Sequence, residues 1–151
     1  MVKILFICHG NICRSPMAEF IFLELARRGG VSDRFAVDSA ATSREEIGND
    51  LYPPAKACLR AHGIPFSRRR ARQVTRADYD EYDLLVIMED YNRRNLRRII
   101  PDDPEDKVRT LMSFAGSDRD VADPWYTDDF ETAYRDIRRG CEALFRTLER
   151  G

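Results

Sequence analysis

A short apolar run at residues 4–7 is followed at once by a polar loop and the start of a helix. The run has the length and composition of a buried strand. The stretch after it, residues 8–16, contains a glycine and ends in Ser15 and Pro16, and serine is a favoured N-cap while proline fits the first helical position. The sequence therefore predicts a strand, a tight loop and a helix, a unit typical of α/β folds.

Strand-like and helix-like segments alternate along the rest of the chain. The patterns predict further strands at residues 34–39, 84–88 and 108–112. They predict helices at residues 16–28, 53–63 and 91–100, and a long last helix opened by a capping box at Asp128 and Glu131. This order predicts an α/β fold: a single domain with a four-stranded parallel sheet, helices on both faces, and a phosphate-binding loop after strand 1.

Length and charge limit the classes of protein that this chain can belong to. With 151 residues, 43% of them hydrophobic, we expect one domain over residues 1–151. Lys and Arg total 25 against 26 acidic residues, so no overall charge favours nucleic acid or an anionic membrane as a partner. The first apolar run is too short for a membrane span or a signal-peptide core, and four cysteines show no disulfide spacing. We therefore expect a cytoplasmic protein.

The loop at residues 8–16 has the groups needed to bind a tetrahedral anion. Backbone N–H groups from Gly10 onward can converge on an anion where the loop runs into a helix N-terminus. Arg14 adds a planar, permanently charged guanidinium that can hold two oxygens. Positive potential favours the thiolate of a cysteine, so Cys8 is a candidate nucleophile. The Ser15 hydroxyl either donates to that thiolate or only caps the helix.

These residues, in the form CHGNICRSPMAE, resemble the signature loop of the low-molecular-weight protein tyrosine phosphatases. The resemblance covers nearly the whole chain, because three further motifs occur in the family's order: Asp38-Ser39-Ala40, Ala71-Arg72-Gln73 and Asp123-Pro124-Trp125-Tyr126. It implies a cysteine-dependent phosphomonoesterase that hydrolyses protein phosphotyrosine and small aryl phosphates through a phosphocysteine intermediate. It implies no cofactor and no metal, phosphotyrosine-bearing proteins or peptides as partners, and phosphate as product and inhibitor.

The resemblance also assigns the three catalytic positions. Cys8 would attack the phosphorus, Arg14 would hold the phosphoryl group, and Asp123 would act as general acid and then as general base. Asp123 lies far from Cys8 in the sequence, so only folding can bring them together. An Asp-Pro pair alone is an ordinary turn signal, but Pro124 is expected to keep Asp123 extended and to aim its side chain away from its own turn.

The other predicted site residues bind substrate or support the loop. The resemblance implies that Asn11 holds the loop in shape, in a left-handed conformation that Asn tolerates, and that Ser39 is its supporting hydrogen-bond partner; from the residues alone, Ser39 is an ordinary strand-end residue. Trp125 and Tyr126 suit the wall of a cleft that holds an aromatic ring. The predicted substrate and phosphate contacts are His9, Gly10, Asn11, Ile12, Cys13, Ser15, Trp125 and Tyr126.

Two interpretations of Cys13 stay open: a thiol that traps oxidised Cys8 as a disulfide, and a small residue facing the core. Cys58 and Cys141 lie on apolar helix faces and are expected to be buried by packing. His62 is expected to interact with the dipole at a helix C-terminus. The arginine runs at residues 68–70, 93–94 and 97–98 are expected to be solvated.

Three positions bear on the choice of substrate. Glu45 and Glu89 depart from the family pattern, and a carboxylate at the mouth of the site would disfavour acidic flanking sequence on a peptide. Ile12 stands where relatives that act on phosphoarginine carry Thr, which favours phosphotyrosine.

Two alternative functions remain. Arsenate reduction would need a close pair of further cysteines, whereas Cys58 and Cys141 are far apart in the sequence. A phosphate-capturing module without turnover would not need Cys8, Arg14 and Asp123 together.

Overall fold

The computed structural model describes residues 1–150, and Gly151, the last residue of the predicted domain, lies outside them. Four strands form one sheet: β1 Val2–Cys8, β2 Phe35–Ala41, β3 Leu84–Ile87 and β4 Val108–Thr110. Every pairing is parallel, in the order β2-β1-β3-β4. The predicted four-stranded parallel sheet is confirmed.

Six α-helices surround the sheet: α1 Arg14–Arg28, α2 Pro53–Ala61, α3 Arg76–Glu81, α4 Asp90–Leu96, α5 Pro124–Thr127 and α6 Phe130–Arg150. Apolar side chains of α1, α2 and α6 pack on one face of the sheet, and those of α3 and α4 pack on the other. Within residues 1–150, no helix has both the length and the apolar character that crossing a membrane requires.

The side chains of the central strand β1 explain why helices pack on both faces of the sheet. Ile4 and Phe6 point into the core beside α1, while Leu5 and Ile7 point into the opposite core, and all four are fully buried. Each such side chain contributes about 1.5–3 kcal/mol by leaving water. The chain crosses from β1 to β2 on one side and later to β3 on the other. The loop after Cys8 therefore lies where the strand order reverses, the usual ligand site of such sheets.

Helix α1 begins earlier than the sequence predicted. Its first residue is Arg14 and its N-cap is Cys13, so Ser15 is not the N-cap and Pro16 is the third helical residue. Proline costs nothing there because the first four N–H groups of a helix have no partner within it. The earlier start places Arg14 and Ser15 in the first turn, next to the loop.

The cap of the long helix α6 also differs from the prediction. Asp128 has a left-handed φ of 58° and ends α5. Asp129 caps α6 instead, because its carboxylate accepts from the backbone N–H and the hydroxyl of Thr132. The predicted capping box at Asp128 is therefore wrong by one residue.

Four other elements end earlier than predicted, among them α2, at Ala61 rather than residue 63, and β3, at Ile87 rather than residue 88. The helix predicted to reach residue 100 ends at Leu96, and the strand predicted over residues 108–112 ends at Thr110, where a 3₁₀ turn, Leu111–Ala115, begins. Helix α6 crosses this turn closely, since a Cβ on Gly140 would lie 2.5 Å from Leu111 Cγ. Helix α3, which the sequence analysis missed, begins with a capping box between Thr75 and Asp78.

Candidate active site

One pocket collects most of the predicted site residues. The pocket opens at the carboxyl end of β1. Asp123, which is distant from Cys8 in the sequence, also lines it, as folding was expected to arrange. Ser15 and Ser39 are not among its lining residues, whereas Glu46, which the sequence analysis did not single out, is. The lining residues are Cys8, His9, Gly10, Asn11, Ile12, Cys13, Arg14, Glu45, Glu46, Asp123, Trp125 and Tyr126.

The sulfur of Cys8 is surrounded by hydrogen-bond donors. The backbone N–H groups of Asn11 and Ser15 donate to Sγ at 3.3 and 3.4 Å. The Ser15 hydroxyl oxygen lies 3.0 Å from the same sulfur. Cys8 is only 3% exposed, so few water molecules can compete with these donors. Such donors favour the charged form of a thiol over the neutral one.

The Ser15 hydroxyl is set up to donate rather than to cap. The side-chain amide of Asn11 donates to Ser15 Oγ at 2.8 Å, so that oxygen already accepts a hydrogen bond. Its own proton can then point to Cys8 Sγ at 3.0 Å or to the more distant Ala40 carbonyl at 3.5 Å. The interpretation of Ser15 as a helix cap alone is wrong, since it lies inside α1.

Asn11 holds the loop from its far side. Its φ is 60°, the predicted left-handed conformation. Its side-chain oxygen accepts from the Arg69 guanidinium and from the Arg72 backbone N–H. The expectation that Arg69 is simply solvated is therefore wrong. Arg72 also forms ion pairs with Asp38 and Asp78, which fix this segment against the sheet edge.

Ser39 does not contact Asn11 as predicted. Its hydroxyl donates to Glu19 Oε1 at 2.6 Å, because both ends of the Asn11 amide already have partners. Burial raises the pKa of Glu19 to about 7, although the Ser39 hydrogen bond acts in the opposite direction. The sequence offered no signal for this carboxylate beyond its place one turn into α1.

Arg14 is held in place by three oxygens. It is 1% exposed, and its guanidinium donates to the Val121 carbonyl at 2.8 Å and to Glu89 Oε1 at 3.0 Å. The third oxygen is Asp123 Oδ2, 3.2 Å away. Burial alone would lower the pKa of Arg14, but the negative charges of Cys8, Glu89 and Asp123 outweigh it and raise that pKa. The guanidinium is fully charged and oriented before any substrate arrives.

Glu89 has a different place from the one predicted. Its carboxylate faces Arg14 rather than the mouth of the pocket, so it is not a determinant of flanking sequence. Its position directly after β3 was the available signal, because residues that follow central parallel strands lie at the carboxyl edge of the sheet.

Asp123 uses its two oxygens for different partners. Oδ1 accepts from the Trp125 backbone N–H at 3.0 Å and so caps the short helix α5. The expectation that the side chain points away from its own turn is therefore wrong for this oxygen. Oδ2 faces Arg14 and the pocket. Proline at the first helical position makes the preceding residue an N-cap, which explains the arrangement.

The mouth of the pocket is aromatic on one side and acidic on the other. Trp125 is 53% exposed and Tyr126 is 83% exposed. The ring of Tyr52 supports Trp125 at a centroid distance of 4.9 Å. On the opposite side Glu45 Oε2 lies 3.1 Å from His9 Nε2, as expected of residues at the rim.

The four cysteines are free thiols and all are buried, which confirms the packing predicted for Cys58 and Cys141. Cys13 is 5% exposed and packs with Ile12 and Ala71. Burial first, and then the charge of Cys8, raises the pKa of Cys13. Cys13 also lines the pocket that holds Cys8, so both interpretations of Cys13 stay open.

Comparisons with known proteins agree with this geometry. The model of the family described as low molecular weight phosphotyrosine protein phosphatase matches residues 3–151. The Bacillus subtilis low molecular weight protein-tyrosine-phosphatase YfkJ is 38% identical over 99% of this chain and 97% of that protein. The human low molecular weight phosphotyrosine protein phosphatase is 39% identical over 94% of this chain and 92% of its own length. The crystal structure of YfkJ has a TM-score of 0.95 and covers 99% of this chain and 96% of its own.

Proposed function

The chain belongs to the low molecular weight phosphotyrosine protein phosphatase family and is a cysteine-dependent protein-tyrosine-phosphatase, and we propose that Cys8, Arg14 and Asp123 carry out its reaction. The observation that carries this assignment is the convergence of a sulfur surrounded by donors, a buried guanidinium and a carboxylate on one pocket. No one of these features is sufficient alone. Together they supply a nucleophile, a holder for the phosphoryl oxygens and a proton carrier.

In the first step the Cys8 thiolate attacks phosphorus in line with the leaving oxygen. An S–P bond forms as the O–P bond breaks, and protonated Asp123 gives its proton to the departing phenolate. Arg14 and the loop N–H groups hold the three equatorial oxygens, whose charge grows in the transition state. Glu89 and the Val121 carbonyl keep the guanidinium aimed, so little reorganisation is needed during the reaction.

In the second step a water molecule attacks the phosphocysteine. Asp123, now a carboxylate, takes a proton from that water, the S–P bond breaks, and inorganic phosphate is released. The Ser15 hydroxyl stabilises the returning Cys8 thiolate as a leaving group, which is the role its 3.0 Å distance supports. Phosphate fits the same loop and inhibits by occupying it. The positive charge comes from Arg14 and backbone N–H groups, so we propose that no cofactor takes part.

The mouth of the pocket supports a phosphotyrosine substrate carried on a protein or peptide. Exposed Trp125 and Tyr126 can contact the substrate ring, and the apolar Ile12 lies inside the pocket. Glu45 at the rim disfavours acidic flanking residues by like-charge repulsion. We expect a phosphotyrosine peptide with basic flanks to be hydrolysed faster than the same peptide with acidic flanks.

The mechanism is tested by p-nitrophenyl phosphate hydrolysis from pH 5 to 8, with a chelator and a thiol reductant present. We expect wild-type turnover to persist, Cys8→Ser to abolish it, and Asp123→Asn to lower kcat by about two to four decades, the usual range for general acid–base catalysis. Asp118→Asn, an exposed carboxylate outside the pocket, is the matched control and should leave kcat unchanged.

Three results would contradict the assignment. Full activity in Cys8→Ser would show that Cys8 is not the nucleophile. An equal loss of kcat in Asp118→Asn and Asp123→Asn would show that Asp123 has no specific role in the reaction. Tight binding of a phosphopeptide by the wild type without hydrolysis would instead identify a phosphate-capturing module.

We also propose that residues 1–151 form a single phosphatase domain and that it works in the cytoplasm. The match of the family model over residues 3–151 supports one domain. A nucleophilic thiol must stay reduced, and all four cysteines are free, which supports a reducing compartment.

A further inference from the structure

A second cluster of reactive side chains lies outside the pocket, where helix α2 packs beside the start of α6. It contains Cys58, in the last turn of α2, His62, the residue that follows α2 as its C-cap, and Glu131, in the first turn of α6. None of the three is a lining residue of the pocket that holds Cys8. We propose that Cys58, His62 and Glu131 bind one transition-metal ion of the zinc class.

The helix geometry brings the three ligand atoms together. Cys58 and His62 are four residues apart, so they project from the same face of α2 one turn apart. Cys58 Sγ lies 3.7 Å from Glu131 Oε1, and His62 Nε2 lies 2.8 and 3.0 Å from the two Glu131 oxygens. All three ligand atoms lie within 4.8 Å of one another. A tetrahedral zinc ion needs neighbouring ligand atoms about 3.4–3.6 Å apart, as its bond lengths dictate, so small side-chain rotations suffice.

The donor set suits zinc rather than calcium or magnesium. A thiolate, an imidazole and a carboxylate are the three ligand types that zinc combines, whereas calcium and magnesium prefer oxygen alone. Two negative charges, on Cys58 and Glu131, balance the charge of a divalent ion. Metal binding displaces the thiol proton of Cys58, and any proton on His62 Nε2, to solvent.

Two of the ligands are already oriented. The His62 ring is stacked on Tyr134, with centroids 3.8 Å apart and an interplanar angle of 11°. Cys58 is buried and now donates weakly to the Phe130 carbonyl at 3.6 Å and to Glu131. The Cys58 sulfur and the His62 ring nitrogen therefore both face the Glu131 carboxylate. A cation bound between these three groups can replace the protons that now lie between them. The Glu131 side chain is 49% exposed, so the fourth position faces water.

The test uses Co²⁺ as a spectroscopic probe and Zn²⁺ as the ligand, on metal-free protein. All variants are made in the Cys8→Ser background, because the Cys8 thiol would compete for either ion. We expect one Co²⁺ per chain, with the near-ultraviolet sulfur-to-metal band of a thiolate ligand and the visible bands of a tetrahedral site. Saturating Zn²⁺ should raise Tm by about 5–10 °C, the shift expected for a 150-residue domain at about a hundredfold excess over Kd.

Three variants separate this site from other metal-binding groups. Cys58→Ser should abolish the sulfur-to-metal band, and His62→Gln and Glu131→Gln should each weaken Co²⁺ binding at least tenfold. Glu149→Gln, an exposed glutamate further along α6, should change nothing. Far-UV circular dichroism checks that each variant is folded. If Cys58→Ser unfolds, the Co²⁺ affinities of His62→Gln and Glu131→Gln decide the outcome.

The proposal would be overturned by no stoichiometric Co²⁺ binding, by a sulfur-to-metal band that survives in Cys58→Ser, or by unchanged affinity in both surface variants. In the chain that retains Cys8, His62→Gln should leave p-nitrophenyl phosphate turnover in chelator unchanged. The metal site and the phosphatase assignment therefore fail or succeed independently.

Discussion

The partly buried carboxylate of Glu19 makes a specific contribution to the pH dependence of stability. Burial raises its pKa from the ordinary 4.5 to about 7 in the folded protein, against the opposing effect of the Ser39 hydrogen bond. In the unfolded chain the group is solvated and titrates near 4.5. Between these two values the folded state binds more protons than the unfolded state, so the free energy of unfolding falls as pH rises.

The sign and the size follow from this difference. The stabilisation associated with protonated Glu19 is fully present below pH 4.5 and is lost as pH rises to about 7. The pKa difference corresponds to about 3 kcal/mol, at about 1.4 kcal/mol for each unit. Glu19→Gln replaces the carboxyl by a neutral group of the same shape that can still accept from Ser39. Relative to wild type, the variant should gain about 3 kcal/mol of stability between pH 4.5 and pH 7.5.

Urea unfolding followed by circular dichroism across pH 4.5–8 measures this gain directly. Other titrating groups are common to both proteins, so the difference between their unfolding free energies isolates Glu19. Glu149→Gln, at an exposed position on α6, is the control and should give a flat difference. A Glu19→Gln difference that stays within about 0.5 kcal/mol over the whole range would refute the reasoning, because that is the usual scatter of a surface substitution.

Two other substitutions test packing and the support of the loop. Gly140→Ala should cost about 2 kcal/mol in urea unfolding, because a Cβ only 2.5 Å from Leu111 Cγ calls for the upper end of the usual overpacking cost of about 1–3 kcal/mol and the helix preference of Ala returns about 1. Arg139→Ala, exposed beside it, should be nearly neutral. Arg69→Ala removes a charged donor from Asn11 and should lower kcat for p-nitrophenyl phosphate about tenfold, equivalent to about 1.4 kcal/mol. Arg68→Ala, its exposed neighbour, should keep full activity, and equal losses in the two arginine variants would contradict the support role.

The sheet and the helices that cover it could be predicted because the hydrophobic pattern of each segment identifies it as a strand or a helix. The run at residues 4–7 had to be a strand buried on both faces, since its four apolar residues leave no polar side. The ends of elements were less predictable. Asp128 and Asp129 are both good helix caps, and only the left-handed φ of Asp128, which ends α5, decides between them.

Part of the site could likewise be predicted from the sequence, and part could not. The loop from Cys8 to Arg14 could be located from the sequence, because its backbone donors, its cysteine and its arginine are contiguous. The partners of Arg14 could not, because Glu89 and the Val121 carbonyl reach it from 75 and 107 residues away. Their positions depend on strand order, which a single sequence does not specify.

The shape of the loop is therefore a property of the whole sheet edge and not of the motif alone. Asn11 needs a left-handed backbone that costs free energy for a residue other than glycine, and its side chain compensates by bonding Ser15, Arg69 and Arg72. The segment with Arg72 is itself fixed by a parallel bridge between Ala41 and Gln73. The donors around the sulfur thus depend on a strand end about thirty residues away in sequence. The same nine residues grafted on another loop would lack that support and would not hold the anion-binding shape.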